Sequence, residues 1–255
     1  MSAEDVQGLH ERASEHYRHG EFDAALDAWR RAADAGDGLA MAKIAMLHDE
    51  RDELAAALHW YRLAAAAGHV RSMHSLAQLL EDQNELGEAE RWYREAAGAA
   101  HGSAMHDLAL LLVNRGNIVE AEAWYRRAAD AGEGKSMCNL GYMFIERGDL
   151  DEAERWFRRA IDAGFVRGGL HLGRLLDQRG DAEQARRWVR HAAEGGDVES
   201  MFLLGRALVY AREFEEAFRW GRMAAAHGHA EAEEMFAIAP ILPLPADWPL
   251  SHDRL

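Results

Sequence analysis

Cysteine is almost missing from this chain, with Cys138 the only one in 255 residues. One thiol cannot close an internal disulfide, which fits a reducing compartment and a cytoplasmic location. No run of 18 apolar residues occurs, so no membrane-spanning helix is predicted. The opening MSAEDVQGLHERA has no basic stretch followed by an apolar one, so no signal peptide is expected. Lysine is confined to Lys43 and Lys135. A base content made almost wholly of arginine, beside so much alanine, points to a GC-rich and bacterial source. Positive charge is in deficit overall, with a formal net charge of −15 and a pI near 5.4. Such a surface repels phosphate backbones and anionic lipid, so neither nucleic acid nor a membrane is an expected partner. No phosphate-cradling glycine loop, HExxH or GxSxG is present either, and no cofactor is expected.

What the chain has is a repeat. Trp60, Trp92, Trp124, Trp156, Trp188 and Trp220 stand 32 residues apart. Stepping back once more gives Ala28 with Trp29 beside it, so the first copy reads as shifted by one. Ala25, Ala57, Ala89, Ala121, Ala153, Ala185 and Ala217 keep the same step, as do Ala32, Ala64, Ala96, Ala128, Ala160, Ala192 and Ala224. Gly36, Gly68, Gly132, Gly164, Gly196 and Gly228 close six copies, and Ala100 interrupts the series. Met41, Met73, Met105, Met137 and Met201 form a further column, broken by Gly169. A fixed period of this length marks a stacked-repeat architecture.

Within a copy the apolar spacing is helical. Met73, Leu76, Ala77 and Leu80 make one stripe, and Ala89, Trp92, Tyr93, Ala96 and Ala97 a second. The Arg-Gly-Asp-Leu segment at 147–150 supplies a helix stop at Gly148 and a start at Asp149, with Glu152 placed to complete a capping box. Asn117 with Glu120 and Asp181 with Gln184 repeat that arrangement. Small alanines suit close helix approach, while tryptophan and tyrosine fill the wider spaces, and Trp124 and Trp156 are predicted to be core. One helix pair cannot cover its own stripe, so each copy must stack on the next. The predicted fold is all-α, a right-handed α-solenoid of seven copies at 5–36, 37–68, 69–100, 101–132, 133–164, 165–196 and 197–228. A capping helix at 229–239 follows, making one repeat domain over 1–239. Pro240, Pro243, Pro245 and Pro249 exclude a helix from the tail at 240–255, which is read as extended. Its Ile241, Leu242, Leu244 and Trp248 are expected to fold back over the last helices, or to reach into a groove.

These columns resemble the tetratricopeptide repeat superfamily, and most closely its Sel-one-like branch. Residues 134–164, GKSMCNLGYMFIERGDLDEAERWFRRAIDAG, carry the resemblance, with WYREAA at 92–97 and WYRRAA at 124–129. It covers about residues 5–239 and implies a scaffold that binds a protein or peptide on a concave face lined by the first helices. It implies no catalysis, and a monomer or weak homodimer. The loop inside each copy is short, as in plain tetratricopeptide repeats, whereas the junction between copies is of the Sel-one type.

By that resemblance, the facing positions vary between copies as recognition positions do. The early ones include His10, Lys43, Asp49 and Glu50. The candidate binding residues are His74, His106, Asp107, Cys138, Asn139, Tyr142, Arg167, Leu170, Arg174, Phe202 and Arg206. Arginine and aromatic side chains are the usual interface anchors, which favours the middle-to-late stretch. A metal-dependent or enzymatic reading rests on His74, His106 and Cys138 sharing one column. Helices pack about 8–10 Å apart, so all three cannot reach one zinc ion. Gly168 and Gly169 leave two readings open: a hinge or socket for a partner side chain, or a gap filled by a larger neighbour.

Overall fold

A computed structural model of the chain describes residues 2–236. Among these residues there are helices and no strand. The chain divides into two compact units, Met1–Ala131 and Gly132–Leu255. The first holds α1 (Ala3–Arg18), α2 (Phe22–Ala33), α3 (Gly38–Asp49), α4 (Leu54–Ala66), α5 (Val70–Asp82), α6 (Leu86–Gly98), α7 (Gly102–Asn114) and α8 (Ile118–Asp130). The second holds α9 (Gly134–Glu146), α10 (Leu150–Asp162), α11 (Gly168–Gln178), α12 (Ala182–Glu194), α13 (Val198–Tyr210), α14 (Phe214–Ala226) and α15 (Ala230–Phe236). Within each unit every helix packs on the helix before it and the helix after it, so the pairs stack as an α-solenoid.

The core comes from two facing columns. On the first helices Ala13, Ala45, Ala77, Ala109, Gly141, Gly173 and Gly205 are buried. Against them lie Trp29, Tyr61, Tyr93, Tyr125, Phe157, Val189 and Gly221, also buried. The approach leaves no slack: a β-carbon on Gly141 would stand 2.4 Å from the Phe157 ring. Trp29 therefore stands in register with Tyr61, and the first copy is not shifted.

The column of tryptophans one residue earlier lies at the rim of the core. Trp156 and Trp220 are buried, as expected for Trp156, but Trp124 is only half-buried. The reason is angular, because neighbouring positions on a helix point about 100° apart and only one of them faces the partner helix squarely. Three indole N–H groups of this column find an acceptor on their own helix. Trp92, Trp124 and Trp220 donate to Glu88, Glu120 and Glu216, each one turn earlier, at 3.3, 3.4 and 3.2 Å.

Helix ends follow the turn residues. Asp149 and Asp181 cap α10 and α12 by accepting from the backbone N–H of Glu152 and Gln184. Asn117 makes no such bond, so the expected box is not formed at α8. The side-chain caps missed by sequence reading sit on the first helices, where Asp37, His69, His101 and Asp197 accept from the N–H three residues on. At the closing position, the glycines take left-handed torsions and Ala100 is forced into the same region at φ +63°. A left-handed alanine costs about 1 kcal/mol. Ala100→Gly should therefore raise stability by about 0.5–1 kcal/mol in a urea titration; unchanged or lower stability would mean the turn relaxes that strain elsewhere.

The two glycines of α11 open no socket. Both are buried, and a β-carbon on Gly169 would stand 2.9 Å from the Trp188 carbonyl oxygen. On Gly168 it would meet Ile161 at 3.0 Å and the Phe157 carbonyl at 3.1 Å. The missing methionine volume is taken up by neighbouring helices coming closer. At the far end the aromatic column changes its source. Gly221 has no side chain, and Phe236 of α15 lies where its β-carbon would be, 2.2 Å from the ring. The helix expected at 229–239 is seen from Ala230 to Phe236, and the tail at 240–255 lies outside the described residues.

Candidate functional site

The first helices of each unit turn a second, polar face away from the aromatic column. In the first unit, His74 Nε2 meets Asp107 Oδ2 at 2.7 Å, and Gln78 donates to the same oxygen at 3.3 Å. The His74 ring also lies 4.9 Å from His101 and 5.9 Å from Tyr93, and His106 lies 5.7 Å from Tyr125. Beside this group a cavity of about 500 Å³ is lined by Asp49, Ser75, Gln78, Leu79, Glu81, Asp82, Tyr93, Asp107 and Leu110. Its charged lining is all carboxylate. Burial, and then Asp52, Glu50 and Asp82, hold the Asp49 carboxyl above its ordinary range. The Tyr93 hydroxyl donates to Glu81 at 2.8 Å, and burial pushes its own ionisation upward.

In the second unit the predicted residues separate into two groups. Tyr142, Arg167 and Arg174 reach the surface but are engaged. The Tyr142 hydroxyl is hydrogen-bonded to Nδ1 of His171 at 2.7 Å. Arg167 donates to Asp197 at 2.8 Å and Arg174 to Glu199 at 3.3 Å. Arg206 lies over the Phe202 ring at 5.8 Å, and Asn139 is half-buried. The other group is enclosed, which corrects its expected place on the open face: Cys138, Leu170 and Phe202 are all buried. Phe202 is covered by the His229 ring, stacked at 4.3 Å, and by Phe236. Their column lies at the edge between one first helix and the next, so an apolar side chain there turns under its neighbour.

Burial, opposed only by Arg167, pushes the Cys138 thiol up to about 12. A thiol so raised carries no thiolate at neutral pH and is inert as a nucleophile or soft ligand. Among the described residues no three His, Cys, Asp or Glu side chains gather at metal-ligating range. No described helix is long and apolar enough to cross a membrane.

The acidic cavity is the feature that sequence reading undervalued, since it favoured the arginines of the later copies. Its signal was the acidic doublet ending two successive first helices, Asp49-Glu50 and Glu81-Asp82.

Family models of the tetratricopeptide repeat match residues 70–98, 107–164 and 166–191, and the Sel1 repeat model matches 39–69 and 198–229. Together these segments span more than half of the chain. No curated protein matches the sequence. Among solved structures, a Sel1 repeat protein from Oxalobacter formigenes is 24% identical with a TM-score of 0.70, over 85% of this chain and 99% of that one. The protective antigen c5321 of uropathogenic Escherichia coli, which displays an SLR fold, is 19% identical with a TM-score of 0.68, over 91% of this chain and 56% of that one. A tetratricopeptide repeat protein from Parabacteroides merdae is 17% identical with a TM-score of 0.58, over 92% and 98%. At these identities the likeness is one of fold. Repeats of this kind are generally protein–protein interaction modules on a scaffold without catalytic groups. Constant packing columns, paired helices and the matching repeat models agree: the chain belongs to the tetratricopeptide repeat superfamily, with repeats of the Sel1-like kind.

Proposed function

We propose that this protein is a non-catalytic, regulatory adaptor that holds a peptide or protein surface on the polar face of its first helices. The observation that carries this reading is the cavity of about 500 Å³ on that face of the first unit. Leu79, Leu110 and Tyr93 offer it apolar contact, and Asp49, Glu81, Asp82 and Asp107 give it one sign of charge. A segment with a basic side chain beside an apolar one is complementary to that lining. In the second unit Tyr142, Arg167, Arg174 and Arg206 form the corresponding surface, while Cys138, Leu170 and Phe202 act through packing beneath it. The inert thiol gives a metal-dependent or enzymatic role no support.

The test uses partners captured from the native host and identified by mass spectrometry. Asp82→Lys with Leu110→Glu changes two exposed residues of the cavity, and Arg174→Glu with Arg206→Glu changes the later surface. A partner on this face is expected to lose about tenfold or more in affinity to at least one of these pairs, with circular dichroism unchanged. Full retention of binding by both double variants would place the partner on another face.

A further inference from the structure

The second helices of each unit carry a ladder whose carboxylate column, Glu88, Glu120, Glu152 and Glu216, is broken by Ala56 and by Gln184. Arg30, Arg62, Arg94, Arg126, Arg158, Arg190 and Arg222 recur at the 32-residue step. Three rungs within the units share one chemistry. Glu88 accepts from Arg62 at 3.2 Å and from the Trp92 indole at 3.3 Å. Glu120 accepts from Arg94 Nη1 at 2.6 Å and from Trp124 at 3.4 Å. Glu216 accepts from Arg190 Nη1 at 2.7 Å and from Trp220 at 3.2 Å. In each, a carboxylate of one second helix gathers a guanidinium from the preceding pair and an indole N–H from its own.

At the rung of Arg158 and Trp188 the carboxylate is replaced by Gln184. Arg158 is otherwise held as Arg94 is. Its Nε and Nη2 donate to Glu154 at 3.1 and 2.7 Å, just as those of Arg94 donate to Glu90 at 3.0 and 2.8 Å. That arrangement keeps Nη1 for an acceptor from the next pair. Gln184 does not supply one, because its amide turns away and donates to Asp181 at 2.5 Å. Among the described residues, neither Arg158 Nη1 nor Trp188 Nε1 has an acceptor. A cavity of about 350 Å³ opens there, lined by Arg158, Gln184, Arg187, Trp188 and His191. The guanidinium lies 5.4 Å from the Trp188 ring centre and the His191 ring 5.7 Å from it, so the walls are aromatic as well as cationic.

We propose that this notch is a docking site for a glutamate or aspartate side chain of a partner protein, which takes the place left empty at position 184. Two donors already oriented by the fold, on an otherwise acidic molecule, select a carboxylate. The Trp188 wall selects an apolar residue beside it. The site lies on the second helices and is independent of the first-helix face.

The test uses two fluorescent peptides, Gly-Ser-Leu-Glu-Leu-Ser-Gly and its counterpart with Gln for Glu, titrated with the full chain at low salt by anisotropy. The glutamate peptide should bind about tenfold or more tightly than the glutamine one, as charge-assisted hydrogen bonds are roughly twice as strong as neutral ones. Gln184→Glu would close the rung from within. It should erase that preference while raising the melting temperature, which shows that the fold is intact. Arg158→Gln should erase it without that gain. Equal affinity for the two peptides, or a preference that survives Gln184→Glu, would overturn the assignment. So would self-association that Gln184→Glu abolishes, since the occupant would then be a second copy of the chain.

Discussion

Phe157→Ala is expected to lower the free energy of unfolding by about 3–5 kcal/mol, and Trp124→Ala by only about 1–2 kcal/mol, in urea titrations followed by circular dichroism. The ranking runs against residue size, because tryptophan is the larger side chain. It follows from where each ring lies. Phe157 is fully buried over Gly141, in the aromatic column that joins α9 to α10. The Tyr142 and His171 rings pack on it at 5.6 and 5.7 Å, so its removal leaves a cavity beneath two pairs at once. In a stacked array each pair is stabilised by its neighbours, which transmits the loss along the unit. Trp124 is half-buried, and its indole has Glu120 on one side and Arg127 over the ring at 4.2 Å. A cation–π pair near the surface is worth about 0.5–1 kcal/mol. Equal losses for the two variants would mean that the tryptophan column is the true core and that the aromatic column beside it is not.

That comparison also marks how far the sequence could be read. Helix number, pairing and the 32-residue step were legible because one packing constraint recurs and leaves unbroken columns. Which of two adjacent aromatic columns is buried was not, because both satisfy the helical spacing and only the facing backbone chooses between them. Trp29, in register with Tyr61, was the one available clue. The binding residues were less legible. His10, His74, His106, Cys138, Leu170 and Phe202 share a column, yet the polar members reach the surface and the apolar ones lie beneath a neighbour. Phe202 is enclosed by His229 and by Phe236 of the expected capping helix, so the cap was legible but the burial of Phe202 beneath it was not. The arginine column of the second helices is as regular as the alanines. Its meaning appears only when Arg94 is seen to reach Glu120, 26 residues on and in the next pair.

His171 should make the second unit sensitive to mild acid. Burial, reinforced by Arg174 and Arg167, pushes its pKa from 6.5 down to about 4, and Asp197 opposes this only in part. It is therefore neutral in the folded chain, hydrogen-bonded through Nδ1 to the Tyr142 hydroxyl, with the Phe157 ring packed against it. The sign follows from proton uptake. Below 6.5 the unfolded chain binds a proton that the folded chain refuses, so stability is full above about pH 6.5 and falls as the pH drops towards about 4. At about 1.4 kcal/mol per unit of pKa difference, the loss is on the order of 3 kcal/mol. Asp197, held low by Ser200 and Arg167 against the opposing effect of burial, adds its own loss only at still lower pH. His69 is also shifted down and contributes in the same direction, so the measurement has to be a difference between two proteins. Unfolding free energies of the wild type and of His171→Asn, taken by urea titration at intervals from pH 7.5 to pH 4.5, supply it. The variant is expected to be less stable at pH 7.5 and to lose less on acidification, so that the two curves converge. Parallel curves would show that His171 takes up its proton as readily in the folded chain as in the unfolded one, and that burial does not hold it neutral.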